Sequence, residues 1–76
     1  MLNQLRVGDK GRFKGYLSEC PRGYRYQLMA MGLLPGAEFE VICVAPLGDP
    51  IEIRVNQFSL TLRGKEAAYL DIESLL

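Results

Sequence analysis

The stretch Ile51-Glu52-Ile53-Arg54-Val55-Asn56-Gln57-Phe58-Ser59-Leu60-Thr61-Leu62-Arg63 decides the fold. Ile51, Ile53 and Val55 alternate with Glu52 and Arg54, and Phe58, Leu60 and Leu62 alternate with Ser59, Thr61 and Arg63. Successive side chains of a strand point to opposite faces, so each run reads as a strand with one apolar face. A two-residue turn at Asn56-Gln57 pairs Val55 with Phe58, Ile53 with Leu60 and Ile51 with Leu62. The inward pairs are then all apolar, and the outward pairs, Arg54 with Ser59 and Glu52 with Thr61, are polar. A slip of one residue would turn the whole apolar set toward water, so the pattern itself specifies the register. Gln57 suits a positive φ less well than Gly, which leaves a longer or bulged turn open.

Upstream, Pro46-Leu47-Gly48-Asp49-Pro50 forms a rigid loop. Before it, Ala37, Phe39, Val41 and Cys43 share one face of a strand whose other face begins with Glu38 and Glu40. Ile42 and Val44 make that other face apolar too, so this end is expected to be covered on both sides, and Cys43 to be a buried apolar filler. Pro35-Gly36 has the form of a type II turn. Cys20-Pro21 opens a helix, with Pro21 at the first helical position. Tyr24, Leu28 and Met31 fall on one helical face, and Gly32 supplies a left-handed stop. Gly23 weakens the helix by up to about 1 kcal/mol relative to Ala. Nearer the N-terminus, Leu5 and Val7 alternate with polar neighbours, Gly8-Asp9 marks a turn, and Gly11 to Tyr16 reads as a strand with Phe13 inward. Downstream, Gly64 to Tyr69 forms one helical turn, and Leu70 and Ile72 lie in a last short strand. The expected fold is mostly β: a single domain over residues 1–76 with five short strands, one inserted helix, and a helical turn before the last strand. Curling into a small, partly closed barrel is the economical way to manage the edges.

The chain has 76 residues, so it is one domain. A chain this short buries only about 60–65% of the surface exposed by its unfolded form, so most strong apolar residues must serve the core. Net charge is zero, with residues 1–26 carrying six basic and two acidic groups and residues 27–76 carrying three basic and seven acidic. The halves are therefore +4 and −4. A nucleic-acid binder normally shows a net basic domain or a dense basic stripe, so Lys10, Arg12 and Lys14 are read as a solvated strand face. No apolar run follows the N-terminus as a signal peptide would require, and none approaches the ~20 residues needed to span a bilayer. The two cysteines, Cys20 and Cys43, fit a cytoplasmic protein with free thiols better than a secreted one.

The usual catalytic chemistry lacks its parts. There is no His, which removes the commonest general base and metal ligand. The cysteines form no C-x-x-C pair, and no phosphate-binding glycine motif occurs. Glu38, Glu40 and Glu52 fall on solvent faces rather than in a cleft. Met31 is core by spacing, and Cys20 is a helix-cap neighbour or small filler. The expectation is a non-enzymatic chain with no cofactor and no metal site. What remains is surface. Of Leu33 and Leu34, one should fold back into the core; the other, beside Pro35, and Leu47, on the proline-bounded loop, are either exposed or folded under as satellite core. Apolar residues on rigid loops are candidates for a partner site.

Leu33-Leu34-Pro35-Gly36, Val44-Ala45-Pro46-Leu47-Gly48-Asp49-Pro50-Ile51, Leu60-x-Leu62-Arg63-x-Lys65-Glu66-Ala67 and the helix segment Tyr24-Arg25-x-x-Leu28-x-x-Met31-Gly32 together resemble the FeoA family of bacterial ferrous iron transport. The resemblance runs from about Leu5 to Ile72. It implies an SH3-like β-barrel with an added helix. It also implies a regulatory role beside a FeoB-type membrane permease with a cytoplasmic GTP-binding domain, and hence an association with transition-metal handling through the family alone. Many relatives carry a polar cap where Cys20 stands. The family motif gives no catalytic residues to carry over. The proposed partner contact comprises Arg25 and Met29 on the helix, Leu33, Leu34 and Pro35 after it, and Leu47 and Asp49 on the loop. Direct Fe(II) binding as a chaperone, and a stand-alone relative of the repressor C-terminal SH3-like domain, are the alternatives. An uncovered strand edge would also support self-association. Neither nucleic-acid binding nor direct membrane insertion is expected.

Overall fold

The computed structural model describes residues 5–75. Its strands are β1 (Lys10–Tyr16), β2 (Glu38–Val44), β3 (Ile51–Val55), β4 (Phe58–Leu62) and β5 (Leu70–Ser74), with helices α1 (Arg22–Ala30) and α2 (Gly64–Ala67). The β3–β4 hairpin has the register that its apolar pattern requires: Ile51 opposite Leu62, Ile53 opposite Leu60, Val55 opposite Phe58. Asn56 takes the left-handed conformation (φ 56°), so two residues suffice for the turn. Phe58 departs from the expectation. Val55 across from it is fully buried, yet Phe58 is 50% exposed, because it ends an edge strand where the core runs out.

All five strands pair antiparallel, in the order β4-β3-β2-β1-β5. The sheet curls around one core of Phe13, Leu28, Leu33, Phe39, Val41, Ile51, Ile53, Val55, Leu60, Leu62 and Leu70. Among the described residues β4 and β5 remain edges, so strand pairing leaves the expected barrel open. β1 pairs with β5 along Gly11–Tyr16 but with β2 only over Lys10–Arg12, and a shift between Phe13 and Gly15 bends it.

The covered second face and the buried Cys43 expected for β2 are not what forms. The β2–β3 ladder shifts between Val41, opposite Ile53, and Cys43, opposite Glu52. Ile42 is the extra residue of a bulge, and beyond it the faces exchange. Cys43 therefore stands beside outward Glu52 and is exposed, while Val44 meets Ile51. Strict alternation counted through the bulge assigns Cys43 to the wrong side.

Helix α1 starts one residue later than its proline suggested. Pro21 is the N-cap, and its carbonyl accepts the first helical bond from the Arg25 N–H (3.0 Å). No side chain caps this end, so the helix relies on packing through Leu28, with Tyr24 and Met31 half-buried on the same face. Gly32 (φ 96°) is the left-handed stop, and the Leu34–Ala37 turn closes with Ala37 N–H donating to the Leu34 carbonyl (2.9 Å) and Gly36 at φ 93°.

Candidate functional site

Leu47 is 95% exposed at the tip of the β2–β3 loop. The loop that holds it is well tied. Gly48 N–H donates to the Ala45 carbonyl (2.7 Å) and Ala45 N–H to the Pro50 carbonyl (3.1 Å). The Asp49 carboxylate reaches across to accept the Gly64 N–H at the start of α2 (2.8 Å). Arg63, in the position before α2, has no acceptor in its side chain, so Asp49 supplies the cap from a distant loop. Glu66 adds a longer bond from within, accepting the Arg63 N–H (3.4 Å). A shallow depression of about 380 Å³ lies beside these residues, lined by Asp49, Arg63, Gly64, Lys65 and Glu66. Two acids and two bases line it, and Leu47 stands two residues from Asp49 on a braced loop.

A second exposed group lies after α1. Leu33 is buried (1% exposed), and its carbonyl accepts the Tyr16 hydroxyl (2.7 Å). Its side chain is thus removed from the expected contact set, because it fills the core under the turn. Leu34 remains 45% exposed, and Pro35 is exposed beside it. Arg25 and Met29 are half-buried on α1. The Arg25 guanidinium sits 5.8 Å from the centre of the Tyr26 ring, which is 57% exposed. Sequence reasoning passed over Tyr26. The available signal was its place about 200° round the helix from Tyr24, opposite the apolar face.

The expected site residues therefore form two groups. Leu34 and Pro35 precede β2, whereas Leu47 and Asp49 follow it, and seven strand residues at about 3.3 Å each place roughly 20 Å between them. Elsewhere, Arg12 of the basic row is held between Glu38 (3.3 Å) and Glu73 (3.2 Å). Among the described residues, no three His, Cys, Asp or Glu side chains gather to hold a metal ion. Beneath α1, burial pushes the Tyr16 phenol up to about 12, with Cys20 adding to the shift. Burial raises Tyr24 further, with Glu66 close by. The Tyr24 hydroxyl is enclosed, and among the described residues no partner meets it in hydrogen-bonding geometry. Among the described residues no helix is long and apolar enough to cross a membrane.

Residues 1–74 match the FeoA domain. A Porphyromonas gingivalis relative, an Fe(2+) transport protein A/Fe(2+) transporter FeoB fusion protein, is 32% identical over 76 residues. That match takes in 95% of this chain, which spans only 8% of the relative's length. The solution structure of FeoA protein from Chlorobium tepidum aligns with a TM-score of 0.83 at 37% identity, over 99% of this chain and 70% of that one. FeoA of Stenotrophomonas maltophilia, described as a prokaryotic SH3 domain protein, shares the fold at 19% identity (TM-score 0.77, 95% of this chain and 87% of that one).

Proposed function

This chain belongs to the FeoA domain family, and from that premise we propose that it is a cytoplasmic accessory protein of ferrous iron uptake that binds a FeoB-type permease at its cytoplasmic GTP-binding domain. The observation that carries this reading is the relative in which an FeoA-like stretch and an FeoB transporter share one polypeptide. Fusion holds two modules at high effective concentration, which suits partners that otherwise meet by diffusion. On this reading the chain does no chemistry and contributes shape and apolar contact. Leu47 is the principal anchor: burying a leucine gains about 1.5–3 kcal/mol, and a loop already braced loses little further entropy on docking. Leu34, with Pro35, Met29 and Arg25, forms the second contact region, about one strand length away.

Co-purification of detergent-solubilised permease with this chain, in GDP and GTP-analogue states, tests the proposal. Leu47→Gln and Leu34→Gln, each shown to be folded by circular dichroism, should weaken capture by roughly tenfold or more. If the wild-type chain fails to bind in either state, the function is wrong. If both variants bind as well as wild type, the function stands and the contact residues do not.

A further inference from the structure

The two edges of the sheet differ in chemistry. An edge strand presents unpaired N–H and C=O groups, and natural proteins guard it with charges, proline, bulges or a cover. β5 carries Asp71 and Glu73. β4, Phe58-Ser59-Leu60-Thr61-Leu62, has no charge, no proline and no break in its register. Among the described residues β3 is its only strand neighbour. The register tells which backbone groups of β4 are free. In a hairpin closed by two residues, the pair beside the turn exchanges both backbone bonds, and bonded pairs then alternate with unbonded ones. Phe58, Leu60 and Leu62 therefore bond to β3, and Ser59 and Thr61 turn their N–H and C=O outward. Both residues are exposed.

We propose that β4 pairs antiparallel with β4 of a second copy of this chain, about a two-fold axis at Leu60. Ser59 then lies opposite Thr61 of the second copy, and the two exchange backbone bonds; symmetry repeats the exchange on the other side of the axis. Phe58, half-exposed in one copy, comes opposite Leu62 of the other and is covered. On the outer face no like charges meet. Glu52 stands beside Thr61 and Arg54 beside Ser59 within each copy. Each of the two outward-facing rows across the paired strands thus reads Glu52, Thr61, Ser59, Arg54, with an acid from one copy at one end and a base from the other at the far end, about 14 Å away. β5 could not do the same, because an axis at Ile72 would set Asp71 directly opposite Glu73. A second copy is the occupant that fits, since the pattern of β4 complements itself.

Size-exclusion chromatography with light scattering, over a concentration series up to about 1 mM, should show a monomer–dimer equilibrium. Hydrogen exchange should show Ser59 and Thr61 amides becoming protected as the dimer fills. The double variant Ser59→Lys with Thr61→Lys sets like charges opposite one another and should raise the dimer dissociation constant by roughly tenfold or more. Mixing it with Ser59→Glu plus Thr61→Glu should restore pairing as a heterodimer. A wild-type chain that stays monomeric throughout overturns the proposal, as does a dimer that leaves these amides unprotected or ignores the lysines. Protection of these amides only when the permease domain is added also overturns it and assigns the edge to that partner.

Discussion

Gly11 lacks a side chain where none would fit. It lies in β1, and a Cβ there would run into the Phe39 ring, with Cε2 at 2.9 Å and the Glu73 carbonyl oxygen at 3.0 Å. Phe39 is 3% exposed and packed within the core. Gly11→Ala should therefore destabilise the protein by about 1–3 kcal/mol, the usual cost of overpacking. Gly23 gives the opposite case: it lies in α1, and a Cβ there would meet nothing within 4 Å. Gly23→Ala should stabilise by up to about 1 kcal/mol, through helix propensity and a smaller unfolded-state entropy. Urea denaturation of both variants checks the pair, and the two midpoints should move in opposite directions.

At the scale of elements, α2 and the β2–β3 loop stabilise one another through a single acceptor. Four residues make too short a helix to persist without help at its ends, and Asp49 supplies that help from 15 positions away. Asp49→Ala should cost about 1 kcal/mol, as loss of a helix cap usually does. It should also loosen the loop that presents Leu47. Asp49→Asn keeps an acceptor oxygen and should cost less. Amide exchange of Gly64 and Gly48, measured with the denaturation midpoint, distinguishes the two variants: both amides should open in the alanine variant and stay closer to wild type in the asparagine one.

For the whole molecule, alkaline pH is the condition that tests how α1 sits on the sheet. Tyr16 and Tyr24 are held neutral by burial; Tyr16 is pushed up to about 12, and Tyr24 is raised as well. A phenol raised in the folded state keeps its proton there after the unfolded chain has released it. The unfolded chain binds fewer protons between the two values, so stability falls as pH rises. These two phenols take nothing from stability below about pH 10, the free phenol value, and progressively more through about pH 12. Thermal denaturation from pH 8 to 12 should show this decline, and Tyr16→Phe should make it shallower. The same variant loses the bond to the Leu33 carbonyl and should melt lower at neutral pH. A profile level through pH 12 would mean that α1 does not seal these hydroxyls.

The five strands, both helices, the hairpin register and the turns at Gly32 and Pro35-Gly36 follow from period-two and period-3.6 patterns and from residues that fix φ. Those signals are local and act within a few residues. The split between Leu33 and Leu34, and the exposure of Leu47, were legible only as one of two open readings: two leucines beside a proline are hard to bury together, but whether a loop leucine folds under depends on what packs beneath it. Tertiary structure decided what depends on distant neighbours. A bulge set by pairing between β2 and β3 turned Cys43 outward, the end of the core exposed Phe58, and Asp49 found its partner at Gly64. β2 also keeps the two groups of expected contact residues apart. Local periodicity fixes which way a side chain points relative to its own strand, but only the packed sheet fixes what lies on the other side.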